Sequence, residues 1–198
     1  APEFAGAVGA LGIGDGMRIV VYDGLGFFSA PRVRWTFKVF GARDVVILDG
    51  GLPKWLAEGR PVEEDNPKTR QPRSFTARLD NGAVANADDV ARATASQAIQ
   101  VVDARAADRF RGEAAEPRPG LASGHIPGSL NLPSSQLTTD GRLKSPEEIV
   151  ALFRDAGVDL DRPSIMTCGS GVSAVILSTA LEAVGKPSHA GATLSSGR

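Results

Sequence analysis

Pro163-Ser164-Ile165-Met166-Thr167-Cys168-Gly169-Ser170-Gly171-Val172-Ser173-Ala174 is the stretch on which the fold turns. A short apolar run leads into a glycine-rich turn, and from Val172 to Val184 apolar residues recur at helical spacing, so the segment predicts strand, tight loop and helix. Glycines at 169 and 171 allow successive backbone N–H groups to turn toward one point, where the helix N-terminus adds its partial positive charge. The sole cysteine sits at that focus. A lone cysteine is most often a small apolar filler. A core filler has no use for two neighbours stripped of side chains, whereas an anion-cradling loop does. The flank therefore marks Cys168 as a candidate nucleophile, reacting as its thiolate.

Outward from this loop the same alternation recurs. Upstream, Ala98 to Val102 predicts a strand, preceded by a helix from Asn86 to Ala95 with Asn86 as its N-cap. Asp103-Ala104-Arg105, Asp108-Arg109-Phe110-Arg111-Gly112 and a Pro/Gly-rich loop through Pro117-Arg118-Pro119-Gly120 follow. Ser129 to Leu132 predicts a short strand, and Ser145-Pro146-Glu147-Glu148 a capping box opening a helix closed by Gly157. In the first part of the chain, Ala1 to Gly16 predicts a short helix, Met17 to Tyr22 a strand, Ala30 to Phe40 a helix, Val45 to Leu48 a strand, and Pro53 to Leu56 a helix. Trp35 and Trp55 are expected as core anchors. Strands alternating with helices at this spacing give an α/β protein with parallel sheets. Between the two blocks Pro61, Pro67 and Pro72 punctuate a polar stretch, expected to be an exposed linker over residues 61–80. The domains are then residues 1–60, the linker 61–80, and residues 81–198.

The two blocks also superpose on each other. The strand ending at Tyr22 with Asp23-Gly24-Leu25-Gly26 corresponds to the strand ending at Thr167 with Cys168-Gly169-Ser170-Gly171, and both run through Ser-Ala into a helix. The cysteine position of the second block is thus an aspartate in the first. After its helix the first block continues into Val45 to Leu48 and Trp55, but after Gly185 no apolar strand or Trp-bearing helix is legible. The first block has at most sixteen residues before its strand, where the second has a long upstream half. The expectation is a chain cut at both ends: a first domain present only as its C-terminal half, a second lacking its closing strand and helix, and a tail over 186–198 of foreign or non-structural origin.

Composition narrows the chemistry. A length of 198 residues with 42% hydrophobic and 23% charged residues is ordinary for a globular protein. A net charge of −1 offers no global field for nucleic acid, and no run of about 18 apolar residues suggests a membrane partner. One cysteine and two distant histidines, His125 and His189, supply neither a disulfide nor a metal cluster, so no cofactor or metal is expected and a reducing compartment, the cytoplasm, fits best. For an arginine in a polar loop the default is a solvated surface charge, and Arg105 and Arg111 are left there. His125 is expected to tie its loop by a hydrogen bond.

Taken together, the Cys168 loop, Ser29-Ala30-Pro31-Arg32, Leu48-Asp49-Gly50-Gly51, the 108–112 segment, Glu116-Pro117-Arg118-Pro119-Gly120 and Gly124-His125-Ile126-Pro127-Gly128 resemble the two-domain rhodanese-type sulfurtransferases, from Ala1 to about Gly185. The resemblance implies two rhodanese-like α/β domains, the catalytic cysteine in the second and an aspartate in its place in the first. It is similar in its loop to members that take sulfur from 3-mercaptopyruvate; thiosulfate-preferring members carry an Arg-Lys pair where this chain has Gly169-Ser170. By resemblance, Cys168 takes the donor sulfur as a persulfide and passes it to a thiol, such as a thioredoxin-type dithiol, or to cyanide, releasing pyruvate. Ser170 would relay a proton, Arg109 and Arg118 would bind the donor, and Gly169, Gly171, Val172 and Ser173 would line its pocket. A further Asp and His of the family would precede Ala1, so the missing N-terminal segment, as a separate chain, is a further candidate partner.

Two alternatives stay open. A cysteine phosphatase or arsenate reductase needs a longer loop ending in arginine, and here the sixth residue past Cys168 is Ala174 with nothing basic between. A non-catalytic sulfur-carrier or protein-binding module would need only the loop.

Overall fold

The computed structural model describes residues 1–64 and 70–186 in full and residues 189–193 as backbone. Two compact units form, residues 1–81 and 82–198.

In the first unit, α1 (Pro2–Ala10) and α2 (Ala30–Val39) both open with proline in the first turn, where its missing N–H costs nothing. Strands β1 (Ile19–Val21) and β2 (Val45–Ile47) pair in parallel with Ile19 opposite Val45, and α3 (Gly51–Ala57) follows. Apolar residues on one side of the ribbon join Val8, Ala30, Phe37 and Phe75 in a core. Phe4 stacks on Phe40 at 4.2 Å and meets Phe37 edge-on at 5.4 Å, geometries favoured by the ring quadrupole.

Two expectations change here. Residues 70–80 are exposed except at Phe75 and Ala77, but they are fastened to the first unit rather than a loose linker: Phe75 is buried, Arg73 N–H donates to the Gly9 carbonyl, Arg78 N–H to that of Phe40, and Asp80 N–H to that of Val39. Thr76 adds two hydrogen bonds to the Asp15 carboxylate. The polar, proline-punctuated composition conceals one apolar anchor, Phe75, which is enough to fasten the segment. Residues 65–69 of the expected linker lie outside the described residues. The tryptophans are not core anchors either. Both are half-buried; Trp35 lies under the Arg32 guanidinium, and Trp55 donates its indole N–H to the Pro61 carbonyl.

The second unit starts with α4 (Ala87–Ser96), where Asn86 and Asp89 form a reciprocal capping box. Strand β3 (Gln100–Asp103) is buried along its whole length. Then come α5 (Ala107–Arg111), β4 (Leu130–Asn131) and a hairpin of β5 (Thr138–Thr139) and β6 (Arg142–Leu143), turned by Asp140 and Gly141, both at positive φ. Helix α6 (Pro146–Asp155) carries the capping box of Ser145 and Glu148. Strand β7 (Ser164–Cys168), α7 (Val172–Ala183) and β8 (His189–Thr193) complete the unit. The sheet order is β4-β3-β7-β8, with every neighbouring pair parallel. Helix α7 buries seven of its twelve residues, and Phe153, Leu132, Leu137, Ile149, Met166 and Leu177 form the fully buried interior.

The closing strand expected to be missing is present: β8 pairs with β7 from Ile165 opposite His189 to Cys168 opposite Thr193. His-Ala-Gly-Ala-Thr carries no run of branched apolar residues, but a parallel ladder is made by backbone groups. Residues 189–193 are therefore sheet rather than tail, while 187–188 and 194–198 lie outside the described residues. No helix among the described residues is long and apolar enough to cross a membrane.

Candidate active site

In the second unit the chain goes from β3 to β4 on one side and later to β7 on the other, so its direction reverses between β3 and β7. In parallel sheets the crevice beyond the carboxyl ends at such a point is where ligands bind. Asp103 ends β3 and Cys168 ends β7.

Cys168 is 6% exposed. Its Sγ accepts the Gly171 backbone N–H at 3.0 Å, and Val172 begins α7 directly after. Gly171 has φ 79°, a left-handed conformation that a Cβ would strain and that aims its N–H back at the sulfur. The sulfur thus faces a hydrogen-bond donor and the positive end of a twelve-residue helix. Both stabilise negative charge on it.

Beside the sulfur lie two recesses. One, of about 220 Å³, is lined by Arg109, Arg118, Cys168, Gly169, Ser170 and Ser173 together with Arg105 and Glu116. The other, of about 420 Å³, holds Asp103, Arg105, Glu116, His125 and Cys168. Arg109, Arg118, Gly169, Ser170 and Ser173 are thus gathered around Cys168 as the sequence suggests. Gly171 acts through its backbone, and Val172 contributes the first residue of α7 rather than a wall of the smaller recess.

A network of charges runs along the wall. The Arg105 guanidinium donates to Asp103 Oδ2 at 2.6 Å, to Glu116 Oε1 at 2.7 Å and to the Gly124 carbonyl at 2.8 Å. Arg109 donates to Glu116 through Nη2 at 2.5 Å and Nε at 3.2 Å. The side chains of Asp103 and Glu116 are 3% and 4% exposed. The hydrogen bond from Arg109 holds the Glu116 carboxyl below the usual carboxylate range, burial opposes this, and the bond from Arg105 adds to the lowering. Arg118 reaches the Gly169 carbonyl at 3.5 Å, the limit of a hydrogen bond.

Arg105 is therefore no solvated surface charge: a residue two positions past the end of a buried strand and facing that strand's own aspartate was the available signal. Arg111, paired with an exposed Glu113, does conform to the surface default. Glu116 went unrecognised because its two partners lie 11 and 7 positions away. His125 donates Nδ1–H to the Phe110 carbonyl at 2.7 Å and stacks on the Phe110 ring at 3.9 Å, tying two loops together.

The profile of the rhodanese-like domain matches residues 86–192, from the cap of α4 to β8. The chain belongs to the rhodanese-like family. It is 43% identical over 190 residues to the 3-mercaptopyruvate sulfurtransferase of Rattus norvegicus, covering 94% of this chain and 64% of that one. It is 47% identical over 191 residues to the thiosulfate sulfurtransferase of Cricetulus griseus, covering 93% and 63%. The crystal structure of SseA from Escherichia coli, described as a 3-mercaptopyruvate sulfotransferase of rhodanese fold, superposes with a TM-score of 0.86 at 37% identity, covering 96% of this chain and 71% of that one. The chain spans about 59–64% of the length of the curated relatives it matches. The rhodanese-like profile covers the whole Cys168 site, including Arg105, Arg109, Glu116 and Arg118.

Proposed function

We propose that the protein is a sulfurtransferase that takes sulfur from 3-mercaptopyruvate, less well from thiosulfate, onto Cys168 and passes it to a thiol or to cyanide. The observation that carries this is Cys168 Sγ accepting the Gly171 N–H at the start of α7, beside a recess lined by Arg109 and Arg118. The names of the relatives support the same class of chemistry.

The thiolate attacks the donor's thiol sulfur. An S–S bond forms, the C3–S bond breaks, and its electron pair passes to C3, where the adjacent carbonyl holds it as an enolate. A proton delivered to C3 through the Ser170 hydroxyl at the solvent-facing end of the loop completes pyruvate. The outer sulfur stays on Cys168 as a persulfide. Arginine suits the donor's carboxylate because its planar fork keeps its charge and can bind both oxygens. The uncharged Gly169-Ser170 pair suits a donor whose charge lies on a remote carboxylate rather than on the sulfur-bearing group. A second thiol, such as that of a thioredoxin-type dithiol in a reducing cytoplasm, then attacks the outer sulfur and restores the Cys168 thiolate. Asp23 fills the corresponding place in the first unit as the inert copy of a tandem repeat.

Incubation with 3-mercaptopyruvate is expected to add the mass of one sulfur atom to the Cys168 peptide and to release pyruvate, which lactate dehydrogenase reports. An adduct with no turnover on added thiol would leave a sulfur carrier in place of an enzyme. The absence of both adduct and pyruvate would defeat the proposal.

A further inference from the structure

Arg109 does not meet the site with a free charge. Its fork spans both oxygens of Glu116, one of which is shared with Arg105, which in turn is held by Asp103. Among the side chains lining the two recesses, two carboxylates, Asp103 and Glu116, face three guanidinium groups, Arg105, Arg109 and Arg118. Asp103 and Glu116 neutralise the first two. Arg118 has no carboxylate within ion-pair distance among the described residues, and its one hydrogen bond is to a backbone carbonyl. With His125 counted neutral and the reacting Cys168 sulfur set aside, the fixed side chains of the lining therefore carry one uncompensated positive charge.

We propose that Glu116 selects the donor by charge: by neutralising Arg109 it leaves Arg118 alone to be satisfied, so the site matches a singly charged carboxylate donor in preference to a doubly charged one such as thiosulfate. The inference rests on the sulfur-donor reading given under Proposed function. A monoanion at Arg118 brings these fixed charges to neutrality, whereas a dianion leaves one further negative charge facing the buried Glu116 carboxylate and the Cys168 thiolate. Selection by charge also gives the nearly buried Glu116, on which two arginines converge, a purpose beyond packing. Glu116 acts through Arg109 and the local field, and is a positioning residue, not a catalytic one.

The test uses binding, so it needs no turnover. Alkylation of Cys168 by uncharged iodoacetamide is followed at pH 8 in the presence of pyruvate, a monoanion, or sulfate, a dianion, and the concentrations giving half-protection are compared. Glu116→Gln keeps the shape and removes the charge. It is expected to shift the pyruvate-to-sulfate preference toward sulfate by about tenfold, the size of one added charge contact at a few ångströms in a partly solvated site. Glu116→Asp, which retains the charge, is expected to keep the wild-type preference. Asp103→Asn, neutralising the far end of the same network, shifts the preference in the same direction and serves where Glu116→Gln does not fold. An unchanged ratio in the neutral variants, or an equal shift in Glu116→Asp, overturns the charge-selection inference while leaving the sulfur-donor reading intact. Absence of protection by either anion in the wild-type protein overturns both.

Discussion

Two loops of similar sequence logic end differently. At the end of β1, the Asp23 carboxylate collects four backbone N–H groups: that of Leu25 on one oxygen and those of Phe28, Ser29 and Ala30 on the other, each at 2.8 Å. At the end of β7, the Cys168 sulfur takes the N–H of Gly171 and borders a recess lined with arginines. The first loop runs from Asp23 to Ala30 before its helix begins; the second needs only Cys168 to Val172. A long loop wrapped on its own fixed anion consumes its donors internally. A short loop leaves the helix N-terminus close to a polarisable sulfur that can form and break a bond. The difference between the Asp23 loop and the loop proposed to react is thus one of side-chain chemistry and loop length together.

The strongest challenge to this contrast is Cys168→Ser. It keeps size and hydrogen bonding but exchanges a good nucleophile for a poor one, and should lower pyruvate release from 3-mercaptopyruvate by on the order of 10³-fold or more; residual activity within tenfold of wild type would place the chemistry elsewhere. Next is Asp23→Ala, which deprives four N–H groups of their shared acceptor and should cost the first unit about 2 kcal/mol in urea unfolding. Cys168 alkylation should proceed unaltered, and a matching loss there would mean the loops are not independent. Arg118→Ala should raise KM for 3-mercaptopyruvate about tenfold with kcat little changed, with Arg118→Lys recovering only part because the fork is lost. Gly171→Ala should cost about 1 kcal/mol through its left-handed backbone; a neutral result would show that the loop relaxes.

The mildest test uses pH. Burial raises the Asp23 carboxyl, but the N–H groups of Ala30, Phe28, Leu25 and Ser29 together outweigh it and hold the group below its ordinary value. A depressed carboxyl contributes stability that is fully present above the unfolded value, about 3.9, and is lost as pH falls through the lower folded one. The first unit should therefore lose stability on acidification in that window, with a shallower slope in Asp23→Asn. Equal slopes would discard the carboxylate as the source.

What the sequence could and could not convey follows from the range of the interactions involved. Capping boxes at Asn86 and Ser145 are written within four residues and appear as read. The strand–loop–helix around Cys168 is equally local. Strand β8 was invisible because its ladder is backbone hydrogen bonding supplied by β7, not a pattern in His189–Thr193. Phe75 looked like an isolated apolar residue in a polar stretch until Phe4 and Phe37 closed around it. Around the site, Cys168 and the arginines were legible by type, but that Glu116 joins Arg105 to Arg109 depends on the fold of the loop between α5 and β4.

Gly169 carries one more consequence. A Cβ built there would lie 3.3 Å from Arg109 Nη2 and 3.9 Å from Glu116 Oε2. Alanine would ask only a few tenths of an ångström of Arg109, but a long side chain would have to displace it. Position 169 is therefore open to a small side chain and constrained by Arg109 against a large one. A long basic side chain directly after the cysteine would compete with the Arg109 guanidinium for the same space, so a change at position 169 is felt at position 109.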